Sequence, residues 1–170
     1  MWMKFALLSV EKIEFDFTLR KLNPYKEIYE VEAIIINHND HPVYFKTRTC
    51  YELQGDFVFD KAKFSLCYST TCRSSFAVIN ELAPNAKLVY VASITNFTKA
   101  RLLQLGLNFY AVSKPAKATG ETQPGINYDL ATQEKIRTTK FIDYGQKWEF
   151  KNGSNRQTPT VIWAKEKSIL

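Results

Sequence analysis

The chain contains only two histidines, His38 and His41, and they flank Asn39 and Asp40 in INHNDHPVYF, residues 36–45. Two imidazoles and a carboxylate this close could ligate a metal or move protons near neutrality. The spacing argues against both. On a strand, residues three apart face opposite sides, and Pro42 with its Asn/Asp neighbours opposes the helix on which they could meet. No third ligand can be named, so no metal is expected. Asn37, Asn39 and Asp40 have the composition of a turn, and the stretch reads as a corner between two strands.

The other reactive side chains are three cysteines. Cys67 and Cys72 stand in LCYSTTCRS with a C-x4-C spacing, and Cys50 stands alone in TRTCYEL. In an oxidising compartment Cys67 and Cys72 could close a small loop; a pair of free thiols is the equal alternative. No second cysteine pair or histidine lies at zinc spacing. P-loop, G-x-G-x-x-G, G-x-S-x-G and H-E-x-x-H patterns are absent, and six glycines leave little for a phosphate cradle. Glu14, Asp16, Glu30 and Glu32 fall on the polar faces of alternating segments, where solvated charge is expected. The chain is therefore expected to be no enzyme and to need no cofactor. A metal- or thiol-dependent enzyme built on the histidines and Cys67 is the third reading.

Twenty-three basic residues against 17 acidic give a net charge of +6. The charges are scattered, so a solvated surface is expected and nucleic acid is not. YFKTRTCY interleaves aromatics with Lys46 and Arg48, but any half-exposed strand alternates in this way. Asn96-Phe97-Thr98 and Asn152-Gly153-Ser154 match the glycosylation sequon, a pattern short enough to arise by chance. No stretch approaches the roughly 20 apolar residues of a membrane span. The start, MWMKFALLSVEKIEF, has too short an apolar run for a signal peptide and reads as the first strand.

Positioning these residues falls to strands. In KIEFDFTLRKL, Ile13, Phe15, Phe17 and Leu19 alternate with polar residues until Asn23-Pro24 ends the run. EIYEVEAIIIN, VYFKTRTCYEL, FVF, KFSLCY, SFAVI, LVYVASIT and RLLQLGLNFYAV read likewise. ELAPNAK is a turn. Residues 113–127 form a surface loop, DLATQEKIRTTKF a short helix, and QKWEF with TVIWAKEK a hairpin through Asn152-Gly153. The sum is a single all-β domain spanning residues 1–170. It is expected to be an antiparallel two-sheet β-sandwich, transthyretin- or immunoglobulin-like, with at most one short helix.

Four segments, in order, resemble the outer-membrane lipoprotein family of type VI secretion, TssJ/SciN. They are LNPY (Leu22 to Tyr25), HPVYFKTRTCYELQGDFVFDKAKFSL (His41 to Leu66), ELAPNAKLVYVASI (Glu81 to Ile94) and TKARLLQLGLNFYAVSKP (Thr98 to Pro115). They lie within residues 22–115, a span of about half the chain. The resemblance implies a non-catalytic periplasmic scaffold, anchored by lipid in the inner leaflet of the outer membrane. It implies that loops after the first strand dock an inner-membrane partner, TssM. By position the docking residues are Asn23, Pro24, Tyr25, Asn37, His38, Asn39, Asp40 and His41. The family's lipid-bearing cysteine is missing from this sequence and is expected, with an export signal, upstream in the native protein. EIYEVEAIII either enlarges the docking loop or is the second strand itself. The runner-up is an unrelated immunoglobulin-like adhesion or carbohydrate-binding module, for which an exposed Trp148 or Trp163 on a concave face would speak.

Overall fold

The computed structural model describes residues 10–67, 72, 74–115, 120–147 and 158–169, with the backbone alone at 146 and 147. The strands are β1 (Ile13–Lys21), β2 (Ile28–Asn37), β3 (Val43–Arg48), β4 (Phe57–Val58), β5 (Phe64–Leu66), β6 (Phe76–Leu82) and β7 (Ala86–Asn96). They continue as β8 (Leu102–Leu103), β9 (Gly106–Val112), β10 (Glu121–Asp129), β11 (Lys135–Lys147), β12 (Thr160–Trp163) and β13 (Lys167–Ser168). The one helical element among the described residues is a 3₁₀ turn, Glu52–Asp56.

All these pairings are antiparallel, and the main sheet follows the path β1-β2-β7-β10-β11-β6-β3-β9-β12, with β4 on β9 and β5 on β7 beside it and β8 paired with β13 as a separate two-stranded sheet. The protein is all-β. Its main sheet curls until its first strand, β1, lies beside its last, β12. Lys167 of β13 fastens this side, its Nζ 3.0 Å from Asp16 Oδ1 and over the Phe17 ring. The two walls of the core therefore belong to one hydrogen-bonded sheet.

Period-two patterning explains what lies inside. Ile13, Phe15 and Phe17 of β1 and Tyr29, Val31, Ala33 and Ile35 of β2 turn one face inward. The opposite wall contributes Val43 and Phe45 of β3 and Leu107 and Phe109 of β9. Phe45 and Phe109 stack across adjacent strands with ring centroids 5.0 Å apart. Gly106 leaves room for the half-exposed Trp163, since a Cβ there would lie 2.8 Å from Trp163 Cε3.

Several expectations need correction. DLATQEKIRTTKF is no helix: Asp129 Oδ1 accepts from the backbone N–H of Ala131 and of Thr132, each at 2.9 Å. That closes a turn, after which Ile136, Thr138 and Thr139 enter β11 with the β-branched preference for a strand. The loop expected over 113–127 is shorter, because Glu121–Asp129 pairs with β11 along nearly its whole length. β12 pairs with β9, where Val161 faces Asn108, and the expected hairpin of QKWEF with TVIWAKEK falls largely on residues outside those described. EIYEVEAIII is the second strand, paired with β1 from Tyr29 opposite Lys21 to Asn37 opposite Ile13. Residues 1–9 of the stretch MWMKFALLSVEKIEF expected as the first strand, the Asn152-Gly153 turn and Trp148 lie outside the described residues.

Candidate functional site: two loop ends and an open seam

The corner between β2 and β3 is held by amides. Asn37, fully buried, donates from Nδ2 to the carbonyls of His41 (2.9 Å), Leu82 (3.1 Å) and Ala83 (3.2 Å). Its Oδ1 accepts from the backbone N–H and the Nδ2 of Asn39, both at 3.0 Å. Asn39 in turn donates to Glu11 O at 3.0 Å, and the N–H of Asn85 donates to Asn39 O at 3.2 Å. These two side chains together tie the entry to β1, the β2–β3 corner and the β6–β7 turn. Asn37 and Asn39 spend their hydrogen bonds inside the molecule, and this makes them a structural hub. His38 Nε2 lies 2.7 Å from Glu14 Oε2, and His41 Nδ1 lies 3.0 Å from Asp40 Oδ1. The hydrogen bond from His41 holds the Asp40 carboxyl below its usual range. Each imidazole has its own carboxylate and the two do not converge. No group of three metal-ligating residues occurs among the described residues.

Asn23, Pro24 and Tyr25 sit at the other end of the same strands. β2 is ten residues long, so roughly 30 Å separates the two groups. The eight residues assigned to docking by position therefore do not form one surface. In the β1–β2 turn, Asn23 Oδ1 accepts from the Tyr25 N–H at 2.8 Å, and the Tyr25 side chain stands out, the residue 94% exposed. Behind it Glu27 accepts from Tyr29 Oη at 2.7 Å and from Lys21 Nζ at 3.0 Å, and these bonds lower its pKa in that order. Leu22, Phe97 and Leu102 are also exposed at this end. Phe97 is carried by a turn in which Asn96, itself buried, binds Ala100 through both its amide nitrogen (2.8 Å) and its oxygen (2.9 Å). That commitment takes Asn96 out of reach as a glycosylation acceptor; Asn152 lies outside the described residues.

Two features escaped the sequence reading. The first is an ion pair, Arg48 Nη2 to Asp56 Oδ1 at 3.1 Å, with side chains 5% and 1% exposed. Asp56 Oδ2 accepts no hydrogen bond. Burial pushes the Asp56 carboxyl up to about 7, outweighing the opposing pull of Arg48. Between the two partners Tyr51 and Glu52 have φ of 59° and 40°, the left-handed region that costs non-glycine residues about 1–3 kcal/mol each. A disulfide between Cys50 and Cys72 fastens this turn, with Cα atoms 5.9 Å apart. Both alternatives held open for Cys67 and Cys72, a link between them or two free thiols, are thereby corrected. Cys67 leaves β5 exposed and free, its Sγ 3.1 Å from Thr95 Oγ1, and Cys50 at the end of β3 is the nearer partner in space.

The second is a cleft of about 550 Å³ where β10 diverges from β7. Leu88, Val89 and Tyr90 line one wall, and Gln123 to Ile126 line the other. Thr47, Asn80 and Lys140 are among the residues at the floor. The sequence signal was Pro124-Gly125 inside an otherwise strand-like run, which had suggested only a loop.

No family model matches the chain, and no curated protein is similar to it in sequence. Among solved structures, a FixG-related protein from Vibrio parahaemolyticus is similar at a TM-score of 0.33 and 10% identity, over 79% of this chain and 99% of that one. A likeness this loose carries no argument about what the chain does.

Proposed function

We propose that this protein is a non-catalytic docking domain that presents the β1–β2 turn to a protein partner. The observation that carries the reading is Tyr25, an aromatic side chain 94% exposed on a turn braced by Asn23 and Glu27. A braced turn backbone lowers the ordering entropy lost on binding, and tyrosine is enriched at interface hot spots. The resemblance to the TssJ/SciN family supplies the partner and the place. The partner is the periplasmic part of a TssM-like inner-membrane protein, met by a lipoprotein held at the outer membrane in its native form. The transthyretin-like sandwich of that family corresponds here to β1-β2-β7 facing β6-β3-β9-β12, with the β10–β11 hairpin bridging them. Of the two loop groups in question, the one at Asn23 to Tyr25 is the docking site, and Asn37 to His41 serves the fold.

The test is titration of the partner's periplasmic domain against the full chain by calorimetry. Tyr25→Ala should weaken binding about thirtyfold, the loss expected of a hot-spot residue, with the melting temperature unchanged. His41→Ala should leave the affinity as it was. Binding unmoved by Tyr25→Ala, or lost with His41→Ala, would overturn the assignment.

A further inference from the structure

Folding gathers charges that look scattered along the sequence. Three turns meet at the Tyr25 end of the sheet: residues 21–27 after β1, 60–63 before β5 and 97–101 after β7. The third is fastened to both others, since Asn96 donates its N–H to Glu27 O at 2.8 Å and Phe97 donates to Lys63 O at 3.2 Å. The two carboxylates on these turns are taken, Glu27 by Lys21 at 3.0 Å and Asp60 by Lys63 at 3.5 Å. Lys26, Lys61, Lys99 and Arg101 are exposed and make no ion pair among the described residues. On the adjoining strands Glu30 is held by Arg20 and Asp16 by Lys167. Glu166 precedes Lys167, on the side away from Arg101. Among these cations stand four exposed hydrophobic residues, Leu22 (46%), Tyr25 (94%), Phe97 (56%) and Leu102 (52%).

We propose that the docking face of Tyr25 extends across all three turns and takes an acidic protein segment, with its carboxylates against Lys26 and Lys99 and an apolar side chain against Phe97. This inference rests on the docking role given to Tyr25 and names the chemistry of the surface that meets it. Charge complementarity selects the occupant, because unpaired cations ringing an apolar centre attract acidic partners and turn basic ones away. Exposure separates a protein from a lipid surface. Only Tyr25 stands clear of the fold; Phe97, Leu22 and Leu102, each about half covered, form a floor to pack against and not wedges that enter a bilayer. The face also exists before the partner arrives. Asn23 closes the first turn on the Tyr25 N–H, and Asn96 closes the third on Ala100 through both its amide atoms, so little ordering remains to be done on binding.

The probe is a capped peptide alternating glutamate with leucine, titrated into the ¹⁵N-labelled full chain; the control peptide carries lysine in place of glutamate. The glutamate peptide should shift the amides of Tyr25, Lys26, Phe97 and Lys99. It should bind about tenfold more tightly than the control, a preference that shrinks at high salt. Lys99→Glu and Phe97→Ala should each weaken it about fivefold, with a circular-dichroism melt to establish that both variants are folded. Lys135→Glu makes the same change of charge at the opposite end of the sheet, where β10 joins the start of β7, and should leave binding as it was. Absence of binding by the glutamate peptide overturns the proposal. So do shifts confined to other parts of the chain, a loss with Lys135→Glu equal to that with Lys99→Glu, and capture of the chain by vesicles rich in anionic lipid in place of the peptide. The docking reading is judged apart, by Tyr25→Ala in the partner titration. A partner that needs Tyr25 and is indifferent to Lys99→Glu and Phe97→Ala overturns the extension alone.

Discussion

Where β1 approaches β12, the curled sheet is filled by Phe17, Leu105, Leu107 and Phe109, each at most 1% exposed. Where β7 faces β10, Thr47, Asn80, Gln123 and Lys140 stand opposite Leu88 and Tyr90, and a cleft remains. The same backbone path makes both sides. What differs is the residue set: apolar side chains that interdigitate on one, polar side chains and a proline on the other. The first side holds the fold, and the second is left able to receive something. If that contrast is right, truncations on the two sides must differ in cost. Phe17→Ala should lose about 3–5 kcal/mol in urea denaturation. Gln123→Ala, at the cleft wall, should stay within about 0.5 kcal/mol. Equal losses would break the comparison.

The Arg48–Asp56 pair at the rim of the cleft sharpens it next. Removing one partner of a buried pair leaves a charge with no counter-charge, so Arg48→Met should cost about 3–5 kcal/mol at pH 8. The cost should shrink at pH 5, where Asp56 can take up a proton. In the native protein the Asp56 carboxyl titrates near 7, above its unfolded value of about 4. The folded state therefore holds the extra proton across that window. Stability from this group is complete below the unfolded value and is lost as pH rises through about 7. Asp56→Asn imitates the protonated form and should flatten this slope. Urea midpoints measured from pH 4 to 8 on both proteins read it directly.

The disulfide gives a smaller effect. Cys50 and Cys72 lie 22 residues apart in sequence, and Cys72→Ser should cost about 3 kcal/mol through the longer reach of the unfolded chain. Cys67→Ser should leave the melting temperature unchanged and leave one disulfide intact by mass spectrometry. The reverse result would restore the Cys67–Cys72 pairing.

Much of this was legible in the residues, though unevenly. Alternation located β1, β2, β3 and β7, because each of them buries one face and period two is the direct imprint of that burial. It failed at β10, where Gln123, Pro124 and Gly125 look into a polar cleft and leave no apolar stripe to read. It failed at the start of β11 because a turn closed by the Asp129 side chain resembles the first turn of a helix in composition. The Cys50–Cys72 pairing depends on where β3 ends, a tertiary fact that a four-residue spacing cannot encode. The histidines were read rightly as a corner. The amides beside them were not: Asn37 and Asn39 look like exposed turn residues in sequence, and only the carbonyls of Leu82 and Ala83 for Asn37, and of Glu11 for Asn39, explain why they are buried.

The two loop ends of β2 set the finest contrast. Asn37 satisfies three carbonyls at one end, and among the described residues Tyr25 bonds only within its own turn at the other. Truncating a buried donor leaves acceptors unpaired at about 1–3 kcal/mol. Asn37→Ala should therefore lower stability by about 2 kcal/mol and loosen both the β2–β3 corner and the β6–β7 turn, seen as faster exchange at the amides of Asn39 and Asn85. Tyr25→Ala should change stability by less than about 0.5 kcal/mol, because an exposed side chain has no burial to lose. A residue that contributes nothing to folding yet is held by an Asx turn is spent on an outside contact. Should Tyr25→Ala prove as costly to stability as Asn37→Ala, the side chain belongs to the fold, and the turn at Asn23 loses its standing as the docking end.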